Sequence, residues 1–255
     1  MENENLNEYK SKIYKFISFE GLFNTINNKS LRYARTDTFN DPLDASSILF
    51  PISKKDLSVY EGYDYKTKEV ILTKNNIFLS SNIYVCSFTK TYNSKESYLM
   101  WSHYGRHHTQ VCFEIDFSNE DIIQSFKNAP SEVKYPENFA FARDSVFEKG
   151  TDNDKGLFVM TNKSKVWSYE KEVRLIFDLR NGNESLIERF SDDRNHLFIN
   201  FNPFHISKII FGLRASYTNM SKTKNYFDKI GHKPKYEKMG LSATNLDIFP
   251  EKFIF

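Results

Sequence analysis

Residues 13–35 read IYKFISFEGLFNTINNKSLRYAR, and the fold class follows from this stretch. Residues 13–17 are mostly β-branched and aromatic, which predicts a short strand. Ser18 then offers a hydroxyl that caps a helix, because the apolar side chains after it recur at i, i+3, i+4 and i+7. We expect this helix to end by Asn28, and residues 30–35 predict a second strand.

The same patterns predict further elements towards the C-terminus. Runs of β-branched and aromatic residues predict strands at residues 82–89, 111–117, 172–178, 196–201 and 206–213. Helical periodicity with capping residues predicts helices at residues 94–106, 120–128 and 218–230, the last of which ends at Gly231. Residues 130–156 carry no assignable pattern, and no regular strand–helix–strand period recurs. The sequence therefore predicts an α+β fold with mixed, mostly antiparallel sheets and flanking helices.

Composition limits the class of protein. The chain has 255 residues, of which 40% are hydrophobic and 16% aromatic, so it is expected to fold around a sizeable core. A formal net charge of +2 is too balanced for a protein that coats duplex nucleic acid or an anionic membrane. Two cysteines and a polar N-terminus favour a cytoplasmic protein with no membrane partner. No Pro-, Gly- or Ser-rich linker appears, which predicts a single domain over residues 1–255 with a surface insertion at residues 53–68.

The first cluster with chemical potential is residues 97–104, SYLMWSHY. In a helix, Ser97, Trp101, Tyr104 and His108 would share one face. Such a face offers a hydroxyl, two aromatic rings and an imidazole, which suits stacking on a ring and bonding a sugar. The alternative interpretation is that the two aromatic residues are core anchors.

His103 and His107 in the same segment have the i, i+4 spacing of two metal ligands. The Glu of the HExxH pattern is absent and no third ligand is apparent, so no metal ligand is predicted. A metal-dependent hydrolase around these two histidines is a third alternative for the function.

The second cluster is residues 165–175, KVWSYEKEVRL. If Glu170 joins the strand, a period of two places Glu170, Glu172 and Arg174 on the face opposite the apolar stripe. Two neighbouring carboxylates repel each other, which raises the pKa of one, whereas a flanking arginine lowers it. Paired acids with different pKa values divide acid and base roles. The alternative is a solvated face with ordinary Glu–Arg pairs.

The third cluster joins Arg32 and Arg35 to the sequence FNDPLD, which begins at residue 39. Alternation along a strand means that only one of the two arginines points into a given cleft. Asn40 and Asp41 precede a proline and predict a turn. The following carboxylates either hold an arginine by bidentate pairing or belong to a capped turn with no ligand.

Together these segments resemble a bacterial family known as domain of unknown function 2971. The resemblance rests on Ile13-Tyr14-Lys15-Phe16, Phe39-Asn40-Asp41-Pro42 with Asp44, Met100-Trp101-Ser102-His103-Tyr104, Lys165 with Trp167, Tyr169-Glu170-Lys171-Glu172-Val173-Arg174, and residues 206–212. It spans nearly the whole chain in order, but the family label implies no activity.

A more distant resemblance is to the ADP-ribosyltransferases, whose third motif is Glu-x-Glu at the start of a strand. Glu170-Lys171-Glu172 matches that motif. The resemblance implies that Glu172 bonds the nicotinamide ribose and steadies an oxocarbenium-like transition state, while Glu170 helps the acceptor attack. The physics parallels glycoside cleavage.

The other two motifs of that family match less well. Ser97, or another residue of the cluster at residues 97–104, would correspond to the polar second motif. The first motif needs an early Arg or His, but Tyr14-Lys15 occupies that place and leaves Arg32 or Arg35 as substitutes.

The expected function is an ADP-ribosyltransferase-like enzyme that cleaves NAD, its substrate, and modifies a macromolecule in bacterial phage defence or as a toxin. The acceptor is a protein or a nucleic acid, and an antidote or partner protein is a further expectation. The catalytic pair is Glu172 and Glu170, and the substrate-binding residues are Arg35, Arg32, Ser97, Trp101, His103, Tyr104, Asn40, Asp41 and Lys165. The alternative is a non-catalytic or nuclease-type defence module that binds nucleic acid or a partner protein.

Overall fold

The computed structural model describes residues 11–41, 43–45, 82–126, 129–180, 182, 184–242, 244 and 247–255. The insertion predicted at residues 53–68 lies outside the described residues, as does Pro42 of the predicted turn. None of the helices in these ranges is long and apolar enough to cross a membrane.

The described chain alternates irregularly between strands and helices. The strands are β1 (Lys12–Ile17), β2 (Ser30–Arg35), β3 (Ile83–Thr89), β4 (Val111–Asp116), β5 (Ser131–Glu132), β6 (Glu172–Asp178), β7 (Ile187–Phe190), β8 (His196–Asn200), β9 (Ile206–Phe211), β10 (Lys235–Ser242) and β11 (Asp247–Lys252). The α-helices are α1 (Phe19–Asn28), α2 (Ser97–His103), α3 (Glu120–Phe126), α4 (Phe139–Lys149), α5 (Asp152–Thr161) and α6 (Tyr217–Lys229). Short 3-10 helices span Thr36–Thr38, Lys165–Glu170, Glu184–Leu186 and Pro203–His205. The predicted α+β class is confirmed.

The first strand, helix and strand form where the sequence predicts them. The Ser18 hydroxyl caps α1 by accepting a hydrogen bond from the Gly21 N–H at 3.0 Å. The helix buries its apolar stripe against the sheet and ends at Asn28, after which Lys29 adopts a left-handed φ of 50°. That residue turns the chain directly into β2.

One mostly antiparallel sheet organises the described chain. Its strand order is β11-β10-β9-β4-β1-β3-β2-β8-β7, and the β9–β10 pair is parallel. Strand β6 pairs with β3 along its whole length, and the two-residue β5 pairs with β6. Because β6 occupies one edge of β3, strands β1 and β2 must share the other edge.

The two strands on that shared edge leave a fork between them. β1 pairs with β3 in register only at Tyr14 and Thr89, near the end of β3. β2 pairs with the beginning of β3, where Ala34 lies opposite Val85. Residues 86–88 of β3 therefore border a gap between β1 and β2.

The two faces of the sheet differ in chemistry. One face carries the main core, as the alternation along the strands predicts. β4 and the residue after it contribute Val111, Phe113, Ile115 and Phe117, and β6 contributes Val173, Leu175 and Phe177. α1, α3 and α6 pack on this core. The opposite face of β3 and β6 carries Ser87, Thr89, Glu172 and Arg174, and the candidate site lies there.

The helix predicted at residues 94–106 is shorter than expected, because α2 begins at Ser97 and ends at His103. Arg106, His107 and His108 have φ values of 46°, 56° and 65°, which a right-handed helix does not admit. Tyr104 still caps α2 with right-handed geometry, whereas His108 does not continue the helical face that begins at Ser97.

The structure also contains elements that were not predicted, namely β5, β7, β10, β11, α4 and α5. α4 has no fully buried side chain, and four of the six side chains of β11 are polar or proline. Such elements lack the apolar periodicity on which the sequence prediction depends.

Candidate functional site

A cavity of about 360 Å³ opens at the fork, on the polar face of β3 and β6. Strands β1, β2, β3 and β6 contribute its floor and walls, and the segment after β2 adds Phe39 and Asn40. Met100 and Tyr104 line it from the α2 region, and Lys163 and Glu170 line it from the segment before β6. The cavity thus collects side chains that are up to 158 positions apart, from Tyr14 to Glu172.

Glu170 and Glu172 both line this cavity, but not by the predicted route. Glu170 ends a 3-10 helix instead of joining β6, so the condition under which a period of two places both acids on one strand face is not met. Lys171 between them has a left-handed φ of 43°, which turns the chain before β6 begins. The ammonium of Lys163 joins the two acids, at 2.7 Å from Glu170 Oε2 and 3.4 Å from Glu172 Oε2.

Arg174 and Asp44 complete a buried network of five charged groups. The guanidinium of Arg174 donates to Glu172 Oε1 at 2.8 Å and to both Asp44 oxygens at 2.6 and 2.8 Å. Lys163 Nζ lies 3.1 Å from Asp44 Oδ2. Arg174 is 0% exposed and Glu172 6%, so the alternative of a solvated charged face is wrong.

Glu172 is held as an anion. Burial favours its neutral form, but the charges and hydrogen bonds of Arg174 and Lys163 outweigh burial and lower the pKa of Glu172 to about 2. Its backbone N–H donates to the Tyr135 hydroxyl at 3.0 Å, which fixes the start of β6. Burial lowers the pKa of Lys163, yet its three carboxylate neighbours more than reverse that effect, and its pKa is raised.

Glu170 is the carboxylate with the least compensation. Three carboxylates share two cations, which leaves one surplus negative charge. Arg174 contacts the other two acids, whereas among the described residues Glu170 is contacted by Lys163 and by the Tyr104 hydroxyl, which donates to it at 2.5 Å. Burial raises the pKa of Glu170, and the opposing effects of Lys163 and Tyr104 do not cancel it. Glu170 is thus the group in this network that is best suited to exchange a proton.

Two cations line the cavity away from the acids. Lys15 Nζ donates to the Ser87 carbonyl at 3.0 Å and lies 5.2 Å from the centroid of the Phe88 ring. Arg32 lines the wall that β2 forms. Neither side chain makes an ion pair with a carboxylate among the described residues.

Arg35 points elsewhere, as the alternation along β2 predicts. Its Nε donates to Asp37 Oδ1 at 2.6 Å, outside the cavity lining. Asn40 lines the cavity, whereas the Asp41 carboxylate accepts from the Leu43 N–H at 3.0 Å and stabilises the predicted turn.

The remaining predicted residues of the α2 region lie outside the cavity lining. The indole N–H of Trp101 donates to the Tyr92 carbonyl at 2.9 Å, and its side chain is 0% exposed, which is the core-anchor arrangement. Ser97 is buried, and its hydroxyl accepts from the Ser94 N–H at 3.1 Å. Only Tyr104 of the predicted helical face reaches the cavity.

Two further predicted residues lie on the surface, outside the cavity lining. His103 Nδ1 is 3.2 Å from the Tyr169 hydroxyl. Lys165 forms an exposed ion pair with Glu137. Within the described ranges, no group of three His, Cys, Asp or Glu side chains is arranged to hold a metal ion.

Sequence reasoning missed Lys163 and Lys15 as site residues and did not connect Asp44 to Arg174. Lys163 follows α5 in a segment without periodicity, and Lys15 belongs to a strand whose alternation assigns it to the core side. The residue 165–175 cluster holds two acids and three basic residues, so it gave no indication that Lys163, outside the cluster, joins the two acids.

The comparisons with known proteins cover the central part of this site. Residues 100–175 match the family described as Protein of unknown function (DUF2971), and this range includes Tyr104, Lys163, Glu170, Glu172 and Arg174. No curated protein and no solved structure matches the chain. Over those residues the chain is therefore similar to a family whose description assigns no activity.

Proposed function

We propose that the cavity is the active site of an ADP-ribosyltransferase-like enzyme. Its substrate is NAD, and the reaction breaks the bond between nicotinamide and ribose. The ADP-ribose group then passes to a macromolecule or to water.

The observation that carries this proposal is the convergence of Glu170 and Glu172 on one cavity with their pKa values shifted in opposite directions. Such a pair divides catalytic roles, because one group stays ionised while the other exchanges protons. The burial of both carboxylates strengthens their interactions with neighbouring charges, since charges interact more strongly away from water.

The two acids have distinct roles in the proposed reaction. When the bond between the nicotinamide nitrogen and the ribose carbon breaks, its electron pair leaves with neutral nicotinamide, and positive charge develops on the ribose. The ionised Glu172 stabilises that charge. Glu170 takes the proton of the acceptor hydroxyl as the acceptor oxygen bonds to the ribose carbon. Tyr104 and Lys163 position the Glu170 carboxylate through their hydrogen bonds to it.

The direct test is nicotinamide release from NAD, measured with and without a bacterial lysate as the source of acceptor. We expect release by the unaltered protein and a loss of about 100-fold or more in Glu170→Gln and Glu172→Gln, the range typical of acid–base residues. The matched control is Glu137→Gln, because this exposed carboxylate pairs with Lys165 and does not line the cavity. Circular dichroism confirms that each variant is folded.

A role in phage defence or as a toxin belongs to the same proposal, since an enzyme that consumes NAD or modifies cell components slows growth. Expression of the unaltered chain and of Glu170→Gln in bacteria is the cellular arm of the experiment. If the protein and lysate release no nicotinamide and form no ADP-ribose adduct, the proposal is wrong.

A further inference from the structure

We propose that a second cavity, separate from the one that holds the acids, binds a small apolar carboxylate such as a medium-chain fatty acid. This cavity has a volume of about 640 Å³ and lies where α1, α3 and α6 end. Its apolar residues belong to the main core or pack on it, whereas the acids lie on the opposite face of the sheet. No described residue lines both cavities, so the inference is independent of the proposed function.

Apolar side chains form much of the lining of this second cavity. Ile26 and Phe201 are buried in it, and Phe204 is 52% exposed beside them. Its remaining apolar side chains are half-buried, namely Phe126, Leu186 and Ile230. The volume lies within the range of roughly 300–1,000 Å³ that is typical of small-molecule sites. An apolar ligand that covers Phe204 and fills the space beside it removes apolar surface from water, which favours binding.

Lys29 gives the second cavity its charge. It is the one charged residue in the described lining, which contains no carboxylate. Its ammonium forms no ion pair with a carboxylate of the described residues. Lys29 is exposed, so a carboxylate that pairs with it stays in contact with water while the apolar part of the ligand lies in the cavity.

His205 contributes a ring to the wall and no charge at neutral pH. Burial lowers the pKa of its imidazole, and the carboxylate of Asp121 offsets that effect only in part. The ring centroid lies 5.9 Å from that of Phe201, and Nδ1 lies 3.4 Å from the Ser125 hydroxyl. A lining with one cation, no acid and apolar walls selects an apolar anion over a cation of the same shape.

The test is calorimetric titration of the full chain with decanoate and, separately, with decyltrimethylammonium, both below the concentrations at which they form micelles. The two probes have similar apolar chains and opposite charges. We expect decanoate to bind about threefold more tightly or better, the effect of one exposed ion pair.

Variants of the lining locate the site. Lys29→Asn should weaken decanoate binding about threefold, because asparagine removes the charge and tolerates the left-handed φ of 50° at this position. Lys29→Arg keeps the charge and should bind as the unaltered protein does. Phe204→Ala should weaken binding about tenfold through lost apolar contact. Phe141→Ala is its matched control, because Phe141 is 75% exposed and does not line the cavity.

Four results would overturn the site: decanoate does not bind, the two probes bind equally, Lys29→Asn or Phe204→Ala keeps full affinity, or Phe141→Ala weakens binding as Phe204→Ala does. Lys29 and Phe204 are both exposed, so their variants are expected to fold, and circular dichroism checks this. Glu170→Gln separates the two proposals, because it should bind decanoate as the unaltered protein does. If decanoate binds but the unaltered protein cleaves no NAD, the site stands and the proposed function fails.

Discussion

Lys163 places one ammonium among three carboxylates, and this arrangement sets the chemistry of the site at the scale of single residues. With Arg174 it neutralises two of the three acids and leaves Glu170 with the surplus charge. Removing either partner of such a buried pair costs about 3–5 kcal/mol in other proteins, because an uncompensated charge remains. The network therefore fixes both the position and the ionisation of the two glutamates.

The lowered pKa of Glu172 predicts a specific loss of stability in acid. Its pKa falls from the ordinary 4.5 to about 2 on folding, so its contribution is present above pH 4.5 and is lost as the pH falls from 4.5 through 2. The size of that contribution is about 3 kcal/mol by linkage. Urea unfolding at pH 7, 4.5, 3 and 2 measures it.

The matched variants make this prediction specific. Glu172→Gln should show a smaller fall in the free energy of unfolding between pH 4.5 and 2 than the unaltered protein, whereas Glu137→Gln should show the same fall. An identical pH dependence in Glu172→Gln and the unaltered protein would contradict the assigned ionisation. The raised pKa of Glu170 has the opposite effect on the pH dependence of stability. Glu170 contributes stability at low pH, and this contribution is lost as the pH rises through its pKa in the folded protein.

Part of this site was predictable from single residues. Glu170 and Glu172 lie two positions apart, so their proximity follows from the sequence alone. The burial of the two glutamates does not follow from the sequence, because the groups that compensate the buried charges come from distant parts of the chain. Asp44, for example, lies 130 positions from Arg174. Local pattern carries no information about such pairs.

The turn between the 3-10 helix and β6 is the decisive feature at the scale of elements. Lys171 has a left-handed φ of 43°, which costs a non-glycine residue about 1 kcal/mol. It brings Glu170 back beside Glu172 although the two residues belong to different elements. A strained residue of this kind between two site residues is typical of a functional position.

Substitution of Lys171 tests that turn. Asparagine tolerates the left-handed region and valine does not, so Lys171→Asn should keep stability and NAD cleavage, whereas Lys171→Val should lose about 1–2 kcal/mol and most of the cleavage. Both variants lose the exposed pair with Glu96, which makes them matched. Urea unfolding and nicotinamide release measure the two effects. Equal behaviour of the two variants would show that the turn does not position Glu170.

Elements with a clear apolar period were predictable, and those without it were not. β1, α1, β2 and β6 lie within one residue of their predicted bounds. α2 ends early because three consecutive left-handed residues follow it, and composition does not reveal them. β10 and β11 form an edge hairpin with mostly polar or half-buried side chains, so they lack the pattern of a buried strand.

At the scale of the whole molecule, the fork in the sheet creates the site. β1 continues into β4, β9, β10 and β11, while β2 continues into β8 and β7, and both halves meet on one edge of β3. The α+β class was predictable from the mixture of elements, but the fork was not, because strand order depends on contacts between distant segments. The prediction of a single domain over residues 1–255 stays a prediction.

The most direct test of the account is a crystal structure of the protein with ADP-ribose, the product that remains after nicotinamide leaves. The account predicts the ribose carbon beside Glu170 and Glu172, with Tyr104 still bonded to Glu170. ADP-ribose bound at any other surface, or a fork cavity that stays empty at saturating ligand, would contradict it.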